Sequence, residues 1–207
     1  LGHISRLLRQ PDEAATQYAD AITRFEALAA GAPGTATYRQ ELADANNWLA
    51  ETLRPQPARV SEAAQAYDRA LSLQQALLDA EPANADYARQ IARTHYNRGI
   101  LRAGADDLAQ SEADFSSAVR LLEPQADTHA GAAQELARAL NNLAGLLTMT
   151  GARSNEAREL YERAITIDER LVAETPDNRE YQLELAKFCN NLAALLSDLG
   201  QPAAAEA

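Results

Sequence analysis

Tyr181-Gln-Leu-Glu-Leu-Ala-Lys-Phe-Cys-Asn190-Asn191-Leu192-Ala193 is the stretch whose reading decides the fold, because the chain carries it four times. The other copies run from Tyr38 to Asn46-Asn47-Trp48-Leu49-Ala50, from Tyr87 to Tyr96-Asn97-Arg98-Gly99, and from Ala132 to Asn141-Asn142-Leu143-Ala144. The anchors Tyr38, Tyr87, Ala132 and Tyr181 stand 49, 45 and 49 residues apart. A second motif falls between them: Glu13-Ala14 with Tyr18 and Ala21, Glu62-Ala63 with Tyr67 and Ala70, Phe115 with Ala118, and Glu156-Ala157 with Tyr161 and Ala164. A period of this size marks a repeat array, in which each unit buries its apolar face only against its neighbours.

Each unit reads as two amphipathic helices. Leu185, Phe188, Leu192, Leu195, Leu196 and Leu199 recur at three- and four-residue steps, as do Ala157, Leu160, Tyr161, Ala164, Ile165, Ile167 and Leu171. Small residues at Ala144, Ala193 and Gly99, and at Ala21, Ala70, Ala118 and Ala164, let helices approach closely. Pro33, Pro82 and Pro176 end second helices, and Thr35, Asn84 and Asn178 follow as N-caps. Gly151 and Gly200 close first helices. The spacing predicts helices over 1–9, 11–30, 36–53, 60–80, 84–103, 106–122, 128–149, 154–174 and 178–199. Pro124 comes early after Ala118, so the second helix of the third unit should be almost two turns short, with Gln125–Gly131 replacing the compact turn and a local irregularity there.

Composition agrees. Among 207 residues, 46% are hydrophobic but only 5% aromatic, and Ala, Leu, Glu, Arg and Gln, all strong helix formers, dominate. The net charge of -11 argues against nucleic acid or an anionic membrane as partner, since both demand a positive field. The single cysteine, Cys189, precludes an internal disulfide, fits a reducing, cytoplasmic compartment, and sits among apolar neighbours as though buried. No apolar run suffices to span a membrane. Matching Gln10-Pro11 to Gln201-Pro202 sets Leu1 opposite Leu192. The expectation is therefore a single array over 1–207 of about four units, partial at both ends and cut from a longer protein. Its uncapped apolar end faces would favour end-to-end self-association.

Taken as a set, the Asn-Leu-Ala segments, the glycine that follows, and Glu-Ala with an aromatic and a second alanine resemble the tetratricopeptide repeat (TPR). Ala157, Tyr161 and Ala164 match that family's second helix, and Leu143, Ala144 and Leu147 its first. The resemblance covers essentially the whole chain and implies an all-α, right-handed superhelical solenoid of antiparallel helix pairs. A usual unit has about 34 residues. The longer units here are similar to those of kinesin light chains and of repeat regions attached to bacterial serine/threonine kinases and other signalling proteins.

In that family the first helices line a concave groove that binds extended peptides. The matching side chains are Asn47 with Trp48, Tyr96 with Asn97, Asn141 with Asn142, and Asn190 with Asn191. One turn earlier lie Asp44, Arg93, Arg138 and Lys187. An asparagine offers both a donor and an acceptor to a peptide unit, and the flanking Arg93, Arg138 and Lys187 suit a carboxylate, from an acidic side chain or a C-terminus. Two readings stand for the row: it contacts a ligand, or it bonds between helices and sets the stacking. Trp48 is either a ligand platform or a core-edge residue, and the cations either bind or pair with Glu and Asp on a solvated face.

Nothing points to catalysis, a cofactor or a metal. No phosphate-binding glycine loop, His-Glu-x-x-His pair or nucleophile elbow occurs. His3, His95 and His129 lie far apart, His95 suiting a buried or half-buried structural role. Glu159, Glu162, Asp168 and Glu169 read as a solvated face. The functional expectation is a non-enzymatic protein-interaction scaffold holding a partner segment. The alternatives are a structural spacer or self-assembly module, and the regulatory repeat region of a larger enzyme such as a protein kinase.

Overall fold

The computed structural model of the chain describes residues 10–151 and 153–200. The expectations placed on residues 1–9, including the first helix and His3, and on the Gln201-Pro202 motif lie outside them. Eight α-helices fill the described residues: α1 Pro11–Gly31, α2 Ala36–Leu53, α3 Val60–Ala80, α4 Ala85–Gly104, α5 Leu108–Leu122, α6 Ala130–Thr150, α7 Ser154–Glu174 and α8 Arg179–Asp198. The fold is all-α, with sequential helices packed as antiparallel pairs. Contacts divide the chain between Asp107 and Leu108 into two compact units.

In the first unit α1 packs on α2, α2 on α3, and α3 on α4. Its core gathers Ala14, Tyr18, Ile22, Leu42, Leu49, Leu53, Ala63, Tyr67 and Leu101, with Phe25 and Trp48 packed against it. In the second, α5 packs on α6, α6 on α7, and α7 on α8. Its interior includes Leu122, Leu136, Leu140, Leu147, Tyr161, Leu171 and Phe188. Ala14, Ala63 and Ala157 are fully enclosed, as are Ala70, Ala118, Ala164 and Ala144. The aromatics that follow, Tyr18, Tyr67, Phe115 and Tyr161, are all buried. Alanine is thus selected where a neighbouring helix leaves no room for more than a methyl group, and the aromatic supplies most of the apolar area buried beside it. The Tyr67 hydroxyl donates to Glu51, and burial, reinforced by that carboxylate, pushes the phenol well above its ordinary range.

Three turns repeat one geometry. After α1, α3 and α7 the chain adopts φ/ψ of -140/70 at Ala32, -133/74 at Glu81 and -139/71 at Thr175. Pro33, Pro82 and Pro176 follow, and each turn closes at 3.0 Å through the amide of Thr35, Asn84 or Asn178 onto the carbonyl of Ala32, Glu81 or Thr175. Asn84 Oδ1 accepts the amides of Asp86 and Tyr87, and Asn178 Oδ1 those of Glu180 and Tyr181. Thr35 holds the same position without a side-chain bond. Arg39 donates to the Pro33 carbonyl and Gln182 to that of Pro176.

The third repeat departs as expected. α5 has 15 residues where α1, α3 and α7 have 21, and a short 3-10 turn, Glu123–Gln125, precedes α6. Here His129 is the N-cap, its Nδ1 accepting the Ala132 amide at 3.1 Å. Gly151 ends α6 with φ +67, a left-handed conformation that suits glycine.

Two expectations are overturned. Cys189 is exposed, whereas Leu140 at the matching position of α6, a helix contacted by α5, α7 and α8, is fully buried. Asp168 does not share the exposure of Glu159, Glu162 and Glu169. It is 0% exposed, because its position on α7 faces inward like that of Gln74 on α3.

Candidate functional site

The asparagine-bearing turns of the first helices divide into two groups. Asn46 is buried and its Nδ2 donates to the Leu42 carbonyl within α2. Asn47 is also buried, and its Oδ1 accepts from Thr94 of α4 at 3.4 Å. In the second unit Asn191 Nδ2 donates to Asn141 Oδ1 at 2.9 Å, tying α8 to α6. These four asparagines are engaged inside the fold, and two of the bonds join successive first helices. Asn142 is half-buried and has interactions of its own. Asn97 is half-buried and Asn190 exposed, and neither makes a hydrogen bond among the described residues.

The cations separate likewise. Arg138 Nε donates to Glu184 at 2.6 Å and its Nη2 reaches Glu180 at 2.7 Å, while Gln134 donates to the other Glu184 oxygen at 3.0 Å. Burial pulls the Arg138 guanidinium down, but the bonds and charge of Glu184 and Glu180 outweigh it and hold it above its ordinary value. Arg138 is therefore committed to carboxylates of the same unit. Lys187 is exposed on α8 and has no ion pair among the described residues. Arg93 is exposed on α4 and its charge acts on Asp44 of α2.

Asp168 lies beneath this ion-pair group. Neither of its carboxylate oxygens has a hydrogen-bond partner. Burial, with the charge of Glu184 and against that of Arg138, pushes its carboxyl up to about 7. The first unit has a related position in Gln74, buried with its Oε1 unpaired.

A cleft of about 530 Å³ opens between α1 and α2. Trp48 and Asp44, singled out by the sequence, stand on its α2 wall with Glu41, at positions separated by three and four residues and so on one helix face. Asp20, Arg24 and Phe25 come from α1. Glu41, Asp20 and Phe25 escaped the sequence reading. The Glu41, Asp44, Trp48 spacing was the available signal for the first of them, whereas the α1 residues join the wall only through tertiary packing. Burial, then the charge of Glu41, raises the Asp44 carboxyl against the opposing effect of Arg93. Among the described residues, no group of His, Cys, Asp or Glu is arranged to hold a metal ion, and no helix is long and apolar enough to cross a membrane.

No protein-family model and no curated protein sequence matches the chain. Solved structures do. A putative kinesin light chain from Podosopora anserina with nearly identical TPR-like repeats is 15% identical, covering 99% of this chain and 86% of its own, with a TM-score of 0.67. BtubC (BKLC) from P. vanneervenii is 16% identical over 95% of this chain and 87% of its own, at 0.52. MamA is 14% identical over 99% and 88%, at 0.53. The likeness establishes a TPR-like repeat fold.

Proposed function

We propose that the chain is a non-enzymatic protein-interaction module that holds an extended segment of a protein partner along its first helices. The observation that carries this reading is the division of the asparagine row. Asn47, Asn141 and Asn191 are spent on helix-to-helix bonds, whereas Asn97 and Asn190, on the same helical turns, have amides unbonded among the described residues. An unbonded side-chain amide matches the donor and acceptor of a passing peptide unit, whatever that unit's own side chain. The open cleft on α2 supports the same reading, since it has the size of a ligand site.

An array of extended peptides incubated with the 207-residue chain provides the test. Binders should lose about tenfold in affinity for each hydrogen bond to the peptide removed by Asn97→Ala or Asn190→Ala, with helicity by circular dichroism unchanged. Unaltered affinity in both variants would sink the proposed role of these amides. Asn141→Ala serves as contrast, because it should loosen α6 against α8 and lower stability.

A further inference from the structure

The cleft between α1 and α2 has a composition that selects among partners. Phe25 and Trp48, both partly buried against the core, stand in its walls with the carboxylates of Asp20, Glu41 and Asp44, and Arg24 is the only cation among the described lining residues. None of the three carboxylates has a hydrogen bond or a close ion pair among the described residues. The contrast with the second unit is informative: there Arg138, at the position matching Asp44, is enclosed by Glu184 and Glu180. In the first unit Arg93 acts on Asp44 only through its charge and Arg24 lines the cleft, and neither makes a close ion pair with the three carboxylates among the described residues.

We infer that this cleft receives a cationic side chain, an arginine or a lysine, projecting from the extended partner segment, held against the Trp48 ring by the carboxylates of Glu41 and Asp44. The inference rests on the interaction-module reading above and specifies its ligand. An acidic residue would meet like charge and is disfavoured. An apolar residue would cover the half-buried Asp44 carboxylate without bonding to it, which costs more than its own transfer returns. A guanidinium satisfies both demands, since it makes charge-assisted bonds to carboxylates and lies flat against an aromatic face. The raised Asp44 carboxyl agrees, for burial and the charge of Glu41 outweigh the opposing charge of Arg93.

Trp48 is the only tryptophan in the chain, so intrinsic fluorescence reports on this cleft. The probes are three capped heptapeptides, Ala-Ser-Ala-Xaa-Ala-Ser-Ala, in which Xaa is arginine, citrulline or glutamate. Citrulline keeps the shape of arginine and removes the charge. The arginine peptide should give a saturable fluorescence change that weakens with added salt, while citrulline and glutamate should each bind at least about tenfold more weakly. The double variant Glu41→Gln/Asp44→Asn should lose the same preference with its helicity intact. Equal binding of the arginine and citrulline peptides, or an undiminished preference in the double variant, overturns the cation site and leaves the interaction-module reading standing. If none of the three peptides binds, the inference also falls. The peptide array then decides separately whether the interaction-module reading falls with it.

Discussion

Replacing Asp168 by asparagine should stabilise the protein, and the gain should depend on pH in a defined way. Asp168 is fully enclosed and neither carboxylate oxygen is hydrogen-bonded, with its carboxyl pushed up to about 7. In the unfolded chain an aspartate titrates near about 3.9. Between those values the native state holds a proton that the unfolded state has released, so stability falls as pH rises across this window and levels off above it. A tenfold difference in proton affinity between the two states corresponds to about 1.4 kcal/mol, so the penalty above pH 7 is at most about 4 kcal/mol. The asparagine side chain keeps the shape and carries no charge, so urea denaturation of Asp168→Asn should show a gain of about 1 to 4 kcal/mol at pH 8 that shrinks towards zero near pH 4. The carboxyl can be followed directly by carbon NMR. A carboxyl titrating near the ordinary aspartate value, or a stability difference that does not change between pH 4 and pH 8, would refute the reasoning.

Other perturbations have equally definite outcomes. Asn84→Ala and Asn178→Ala each remove a cap that accepts two amides, and each should cost about 1 kcal/mol in urea denaturation, whereas Thr35→Ala, which removes no side-chain bond, should cost clearly less. Gly151→Ala places a Cβ on a backbone at φ +67 and should lower stability by about 1 kcal/mol. Ala164→Leu overfills a position with 0% exposure and should destabilise by at least about 1 to 3 kcal/mol, visible as a lower Tm. Cys189, being exposed, should react with a thiol reagent in the native protein. It should do so more slowly than a free thiol at neutral pH, because burial and the Glu169 charge raise its pKa.

Much of this architecture is legible in the sequence because its determinants are local. Helix ends are written in Pro82-Ala83-Asn84 and Pro176-Asp177-Asn178, where a ring without an amide donor and a side-chain acceptor act within a few residues. Helix faces are written in alanine and tyrosine at fixed steps. The fates of individual polar side chains are another matter. Asn47 and Asn97 occupy neighbouring positions of the same motif, yet one finds Thr94 across a helix contact and the other finds nothing, a difference made by tertiary neighbours. Asp168 sits in a run of acidic and basic residues that reads as solvent-facing, and only the packing of α7 buries it. The sequence leaves Arg138 either binding or pairing, and its partners show only when Glu180 and Glu184, more than forty residues away, are brought to it. His129 as a cap has the same origin as the irregular third unit: without the proline turn, the chain used another acceptor.

The recurring proline turn also bears on how fast the chain folds. Each turn links helices adjacent in sequence and closes over four residues, so the loop that must be ordered before the flanking helices meet is short and its entropic cost small. A topology assembled from such near-neighbour contacts has low contact order, and any of the three turns can serve as the point from which helical pairing spreads. The His129 segment lacks that head start, so α5 with α6 should be the pair that completes after its neighbours have formed.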